Sequence, residues 1–120
     1  MSEKYKIAIA TTDGERVNAH FGSAPQIIIY QAENEQWTIE QIISFDNGNG
    51  GCTGQHEAAE ERLYAVEECR YIIAARIGSK MQKYFEYQKQ KYFEMPNADV
   101  TMILTKILKY QAKLNLRKEV

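Results

Sequence analysis

The sequence predicts an α/β domain built on a mixed five-stranded sheet. Three observations lead to this class: β-branched, apolar segments fill the first 44 residues, a glycine-rich break follows, and helical and strand-like segments alternate after it. Strands joined by short turns pair antiparallel, whereas strands separated by helices pair in parallel through right-handed crossovers. The predicted order is β-β-β-α-β-α-β-α, in a single domain spanning residues 1–120.

Three strands are predicted before the glycine-rich break. They are 5–11 (YKIAIAT), 26–31 (QIIIYQ) and 36–44 (QWTIEQIIS). Alternation of apolar and polar residues in the third strand would place Trp37, Ile39 and Ile43 on one face. The residues at 33–35 (ENE) form a turn, so the second and third strands make an antiparallel hairpin.

Helices and strands then alternate. The predicted elements are a helix over 55–68 with Thr53 as N-cap, a buried strand at 70–75, a helix capped by Ser79, a strand at 91–95, and a last helix capped by Asn97. The last helix has one apolar face, formed by Val100, Ile103, Leu104, Ile107, Leu108 and Leu114. The expected core residues are Ile7, Ile9, Ile28, Ile43, Leu63, Ile72, Ile73, Ile103 and Ile107.

Composition excludes several classes of protein. The residues are 44% hydrophobic and 26% charged, with a net charge of −1, so there is no basic surface of the kind that binds nucleic acid. No apolar run approaches the roughly 18 residues of a membrane span, and the start MSEKYK does not resemble a secretory signal. Cys52 and Cys69 are too few for a disulfide scaffold. We therefore expect a cytoplasmic protein with free thiols.

The first candidate site is the segment DGERVNAHFGSA, residues 13–24. It is longer than a hairpin turn, and it places His20 beside Phe21 between two strands. Two interpretations stay open: His20 is a ligand at the end of the sheet, or it is a structural histidine that bonds loop carbonyls. In either case Phe21 would anchor the loop in the core, and Gly22 would allow backbone to approach closely.

The second candidate site is the glycine-rich segment with the helix that follows it. Gly50, Gly51 and Gly54 precede or open the helix, where free backbone amides favour anions, but the P-loop pattern GxxxxGK[ST] is missing. Cys52 and His56 are four residues apart, and a thiolate with an imidazole suits a soft metal or an iron–sulfur cluster. The alternative is a surface loop without a ligand.

Other chemistries fit less well. Cys69 falls between the first helix and a buried strand, which indicates a core residue. A zinc site of both cysteines and both histidines lacks the usual closely spaced CxxC pair. No GxSxG motif or recognisable Cys–His–Asn set occurs. The first strand has no acidic residue before Asp13, which disfavours a metal-dependent nuclease.

The run KIAIATTDGERVNAHFGSAPQIIIYQ resembles the opening of the nitrogenase iron–molybdenum cofactor biosynthesis domain of the NifX type. The matching residues are Thr11, Thr12, Asp13, Gly14, Val17, Asn18, His20, Phe21 and Gly22. The later run CTGQHEAAEERLYAVEECRYIIAARIG also fits. One departure stands before the last strand, where many members have Gly-Ile or Gly-Val and this chain has Gln88, Lys89 and Gln90.

The resemblance implies a ribonuclease-H-like fold without nuclease carboxylates. It also implies a carrier, not an enzyme, for iron–molybdenum cofactor or an iron–sulfur precursor, with nitrogenase assembly proteins as possible partners. The expected metal ligands are His20, Cys52 and His56, supported by the amides of Gly50, Gly51 and Gly54 and by hydrogen bonds from Asn18 and Thr12. The rivals are a regulatory or protein-interaction domain that has lost the cluster, and a small enzyme acting on phosphate or nucleic acid.

Overall fold

The computed structural model describes residues 4–45 and 54–118, the side chains of 54–59, 117 and 118 excepted. Within these residues, five strands and three α-helices follow the predicted order. They are β1 (Tyr5–Thr11), β2 (Gln26–Glu33), β3 (Gln36–Ser44), α1 (Gly54–Ala65), β4 (Tyr71–Ala74), α2 (Ser79–Tyr87), β5 (Lys91–Glu94) and α3 (Val100–Lys118). None of these helices is long and apolar enough to cross a membrane.

The strands form one mixed sheet in the order β3-β2-β1-β4-β5. β2 pairs antiparallel with both β1 and β3, and the hairpin turn is made by Asn34 and Glu35, whose φ angles are 54° and 62°. β4 pairs in parallel with β1 and with β5. The prediction of a mixed five-stranded α/β sheet is therefore confirmed, while its ribonuclease-H-like character stays a prediction.

Each face of the sheet is covered by helices. α3 packs on one face, where Ile103, Leu104 and Ile107 join a cluster with Ile7 and Ile73. The other face holds a second cluster that includes residues of α2 and of the turn after α1. Ile43 and Leu63 are half-buried, and the other predicted core residues are buried: Ile7, Ile9, Ile28, Ile72, Ile73, Ile103 and Ile107.

A β-bulge corrects the predicted face of the third strand. Ile39 pairs with Tyr30 while Gln41 pairs with Ile29, so Glu40 is an extra residue in β3. An extra residue shifts the alternation of the side chains beyond it. As a result Trp37 packs on the α3 side, whereas Ile43 packs against the opposite cluster.

The helix ends also differ from prediction. α1 ends at Ala65 and not at residue 68. Gly78 is the N-cap of α2 and Ser79 is its first helical residue, without a side-chain cap. α3 is capped by Asp99, whose Oδ1 accepts a 3.1 Å bond from the Met102 amide. Asn97 instead has a φ of 64° in the preceding turn. The proposed cap Thr53 lies outside the described residues.

Helix α2 is followed by the three residues that depart from the resembled family, Gln88, Lys89 and Gln90, and these residues close its carboxyl end. Lys89 has a φ of 62°, and its amide bonds the Glu86 carbonyl while the Gln90 amide bonds the Phe85 carbonyl at 2.8 Å. These are the two hydrogen bonds of a Schellman motif. The side-chain amide of Gln90 also donates, through Nε2, 2.8 Å hydrogen bonds to the carbonyls of Val66 and Cys69. These bonds join the end of α2 to the turn after α1.

Candidate functional site

The His20 loop, residues 12–25, lies at the carboxyl ends of two parallel neighbours, β1 and β4. The chain leaves β1 toward β2 on one side and leaves β4 toward β5 on the other. α/β sheets bind ligands in the crevice where connections diverge in this way. The loop therefore occupies the position in the fold that most favours a ligand.

A dense set of hydrogen bonds shapes the start of the loop. The Thr11 hydroxyl donates to the Arg16 carbonyl at 2.7 Å and accepts the Gly14 amide at 2.9 Å. The Asp13 carboxylate accepts the amides of Glu15 and Arg16 at 2.8 and 3.1 Å, and these bonds lower the pKa of Asp13. Gly14 has a φ of 79°, a conformation that favours glycine.

The predicted supporting residues Asn18 and Thr12 bond each other. Asn18 Oδ1 accepts the Thr12 amide at 2.8 Å, and both residues are exposed. The Asn18 oxygen therefore accepts a hydrogen bond within the loop. The geometry fits a residue that holds the loop next to His20.

The backbone around His20 is fixed by pairing with the exit of β4. His20 and Arg76 form a parallel bridge. The Ala75 amide bonds the Ala19 carbonyl at 2.9 Å, and the Phe21 amide bonds the Arg76 carbonyl at 2.8 Å. His20 itself is exposed, and its two interpretations, a ligand and a structural histidine, both stay predictions.

Phe21 and Gly22 seat the loop on α2. Phe21 is 1% exposed and meets Phe85 edge to face with centroids 5.3 Å apart. A Cβ at Gly22 would lie 3.1 Å from Cε of Met81, tighter than ordinary contact. Phe21 is therefore the anchor expected from the sequence, and Gly22 allows α2 to approach the loop.

Arg62 is a site neighbour that sequence reasoning missed. It is fully buried in α1, its Nε donates to the Ala24 carbonyl at 3.0 Å, and its Cζ lies 4.3 Å from the centre of the Phe45 ring. The signal in the sequence was its spacing, because it falls three residues after Ala59 and four before Val66 on the apolar side of the helix.

The remaining predicted ligands lie largely outside the described part of the chain. Cys52, Gly50 and Gly51 are not among the described residues; Gly54 opens α1 and His56 lies in its first turn, with side chains not described. Their convergence with His20 on one hollow stays a prediction. Among the residues whose side chains are described, no three of His, Cys, Asp or Glu come together to hold a metal.

Cys69 is a core residue. It is 3% exposed, and burial raises the pKa of its thiol to about 12. A thiol with so high a pKa keeps its proton at neutral pH and is a poor metal ligand. This agrees with the core role expected for Cys69.

Fold and site together define a mixed-sheet α/β domain, with an exposed histidine at the diverging ends of parallel strands. The sequence profile described as "Dinitrogenase iron-molybdenum cofactor" matches residues 3–110. The chain belongs to this family.

Similar proteins agree with that membership. Protein NifX of Klebsiella pneumoniae is 30% identical over 73 residues, which cover 61% of this chain and 45% of that protein. FeMo cofactor biosynthesis protein NifB of Azotobacter vinelandii is 25% identical over 75 residues, 60% of this chain and 15% of that protein. The chain thus spans about half the length of the NifX proteins it matches.

Solved structures share the fold. The crystal structure of MJ0327 from Methanocaldococcus jannaschii superposes with a TM-score of 0.62 at 14% identity, covering 89% of this chain and 90% of that one. The crystal structure of PH0822 gives 0.61 at 14% identity, with coverage of 87% and 88%. At this identity the likeness supports the fold alone.

Proposed function

We propose that this protein binds and carries iron–molybdenum cofactor, or a related metal–sulfur precursor, without catalysing a reaction. One observation carries the proposal: in a member of this family, an exposed His20 is held by backbone pairing at the carboxyl ends of β1 and β4. The proposal includes a cytoplasmic location, transfer of the cargo to nitrogenase assembly proteins, and a ribonuclease-H-like fold that lacks nuclease carboxylates.

The chemistry of the residues suits such a cargo. A neutral imidazole and a thiolate are good ligands for iron and molybdenum, so His20 and Cys52 are the principal ligands, with His56 as a weaker third. The amides of Gly50, Gly51 and Gly54 would offset the negative charge of the cluster. Hydrogen bonds from the exposed groups of Asn18 and Thr12 orient it.

Anaerobic incubation with isolated iron–molybdenum cofactor tests the proposal. After desalting, iron and molybdenum per chain and visible absorbance are measured for the parent and four variants. We expect His20→Ala and Cys52→Ala to lower retention clearly, and His56→Ala less. Cys69→Ala should retain metal like the parent and lose stability, which makes it the matched control for a cysteine substitution.

The outcomes separate the rivals. A parent chain that retains no metal overturns the carrier proposal and favours an interaction domain of the same fold. Retention abolished by Cys69→Ala and untouched by Cys52→Ala would reverse the roles of the two cysteines. Equal retention in the parent and all four variants would place the site elsewhere.

A further inference from the structure

The guanidinium of Arg62 lies where three segments around the candidate site meet. From within α1, its Nε donates to the Ala24 carbonyl at 3.0 Å and its Nη2 donates to the same oxygen. Its Cζ stands over the ring of Phe45 at 4.3 Å from the ring centre. One side chain therefore contacts the end of the His20 loop and the end of β3.

A packing role alone does not account for an arginine at this position. Arg62 is 0% exposed, and taking a guanidinium out of water is costly, whereas an apolar side chain of similar size fills space without that cost. Burial lowers the pKa of Arg62 and Glu61 opposes the shift, but an arginine stays protonated in proteins. Unlike an apolar side chain, the planar guanidinium fixes the relative orientation of the groups that it contacts, because its donors are rigidly placed and its flat face stacks on a ring.

The contacts of Arg62 lead directly to His20. Ala24 follows the single turn of 3-10 helix Phe21–Ser23, and that turn begins immediately after His20. The Phe45 amide bonds the Pro25 carbonyl at 2.9 Å, so the end of β3 and the end of the loop are also joined to each other. Moving the loop away from α1 would break these contacts together.

We infer that Arg62 is the positioning residue that sets the place of His20 relative to α1 and the end of β3. The inference rests on the proposed function, in which His20 is a ligand and α1 begins beside the other ligands. Arg62 does not touch the cargo. It acts through the Ala24 carbonyl and the Phe45 ring.

Cofactor retention in a matched set of variants tests the inference. Arg62→Lys keeps the charge but not the two donors or the flat face, Arg62→Met removes all of them, and Phe45→Leu removes the stacking partner while Arg62 remains. Leu104→Ala is the control, because it destabilises the opposite side of the sheet. With isolated iron–molybdenum cofactor and variants shown to be folded by circular dichroism, we expect affinity to fall about tenfold in the Arg62 and Phe45 variants. The control should bind like the parent.

A second measurement uses the protein without cargo. Hydrogen exchange followed by NMR should be faster at the backbone amides of residues 21 and 45 in Phe45→Leu and Arg62→Lys, and unchanged there in Leu104→Ala. If Arg62→Met does not fold, Phe45→Leu and Arg62→Lys still test the positioning role of Arg62.

The outcomes distinguish the inference from the proposed function. A parent that binds no cofactor overturns the function, while faster exchange at Phe21 and Phe45 would still support the positioning role. A parent that binds, with Arg62→Lys and Phe45→Leu binding equally well, overturns the positioning role alone. Equal losses in Leu104→Ala would reduce Arg62 to a contributor to general stability, and that too overturns it.

Discussion

His20 and Arg76 lie opposite each other in a parallel bridge, 56 residues apart in the chain. Both side chains are exposed, and paired residues on neighbouring strands project to the same face. The two residues therefore project to the same face at the carboxyl ends of β1 and β4. In the proposed function, Arg76 would give the ligand His20 a cationic neighbour for an anionic metal–sulfur cargo.

Replacing Arg76 should weaken cargo binding through the loss of charge. We expect Arg76→Ala to lower affinity for isolated iron–molybdenum cofactor several-fold, more at low salt than at high salt, because the charge is exposed and screened. Arg76→Lys should keep most of the affinity. Lys109→Ala on α3 makes the same change of net charge at an exposed position and should have no effect. A salt-independent loss, or an equal loss in Lys109→Ala, would contradict the prediction.

The central strand β4 should be sensitive to truncation. Ile73 is 0% exposed in the α3-side core, so Ile73→Ala is expected to lower the free energy of unfolding by about 2–5 kcal/mol. Ile42 is the matched control, because it is 54% exposed on the edge strand β3 and Ile42→Ala should cost under about 1 kcal/mol. Urea denaturation of both variants measures the difference. Equal costs would contradict the burial of β4.

Local sequence patterns predicted the order of the elements because they reflect short-range periodicity. The apolar runs around Ile7, Ile28 and Ile73 each predict a strand without information from other parts of the chain. The density of glycines after β3 predicts where the leading strands end. The bulge at Glu40 could not be read in the same way, because alternation assumes a regular strand. Its position depends on the partner strand β2.

The candidate site was predicted less completely for the same reason. His20 was identifiable from its loop, but Arg76 reaches it only through tertiary pairing. Arg62 was not singled out, because arginine is mostly exposed in proteins, and only the folded chain shows its carbonyl and aromatic partners. Asp99 and Asn97 are both good capping residues, and the sequence alone could not show that Asn97 adopts a positive φ.

The buried thiol of Cys69 should make the protein less stable in alkali. Burial raises its pKa to about 12 in the folded state, whereas the pKa of the thiol in the unfolded chain is about 8.5. The folded state thus holds the proton more tightly. This stabilisation is complete below the unfolded pKa and is lost as the pH rises toward 12, with a loss of about 2 kcal/mol between pH 7 and pH 10.

A pair of variants isolates the contribution of Cys69. In a Cys52→Ser background Cys69 is the only thiol, since the chain has two cysteines. Urea denaturation of this variant and of Cys52→Ser/Cys69→Ala at pH 7, 8, 9 and 10 gives two stability profiles. We expect the profile with Cys69 to fall more steeply, because other groups with raised pKa, such as Lys6 and Tyr30, are shared by both. Parallel profiles would mean that the thiol is not buried as described.

The end of α2 offers a stabilising substitution. Lys89 holds a φ of 62° as the left-handed residue of the Schellman motif, a conformation that costs a residue with a Cβ about 1–2 kcal/mol. Glycine adopts it freely but loses more chain entropy on folding, so Lys89→Gly should raise the free energy of unfolding by about 0.5–1 kcal/mol. Lys83 is exposed in the middle of the same helix, where Lys83→Gly should instead lower it by about 1 kcal/mol. Opposite shifts of the urea midpoint in two lysine-to-glycine variants, with the same change of charge, would therefore report the backbone conformation alone. If Lys89→Gly destabilised the protein as much as Lys83→Gly, the left-handed cap between α2 and β5 would be wrong.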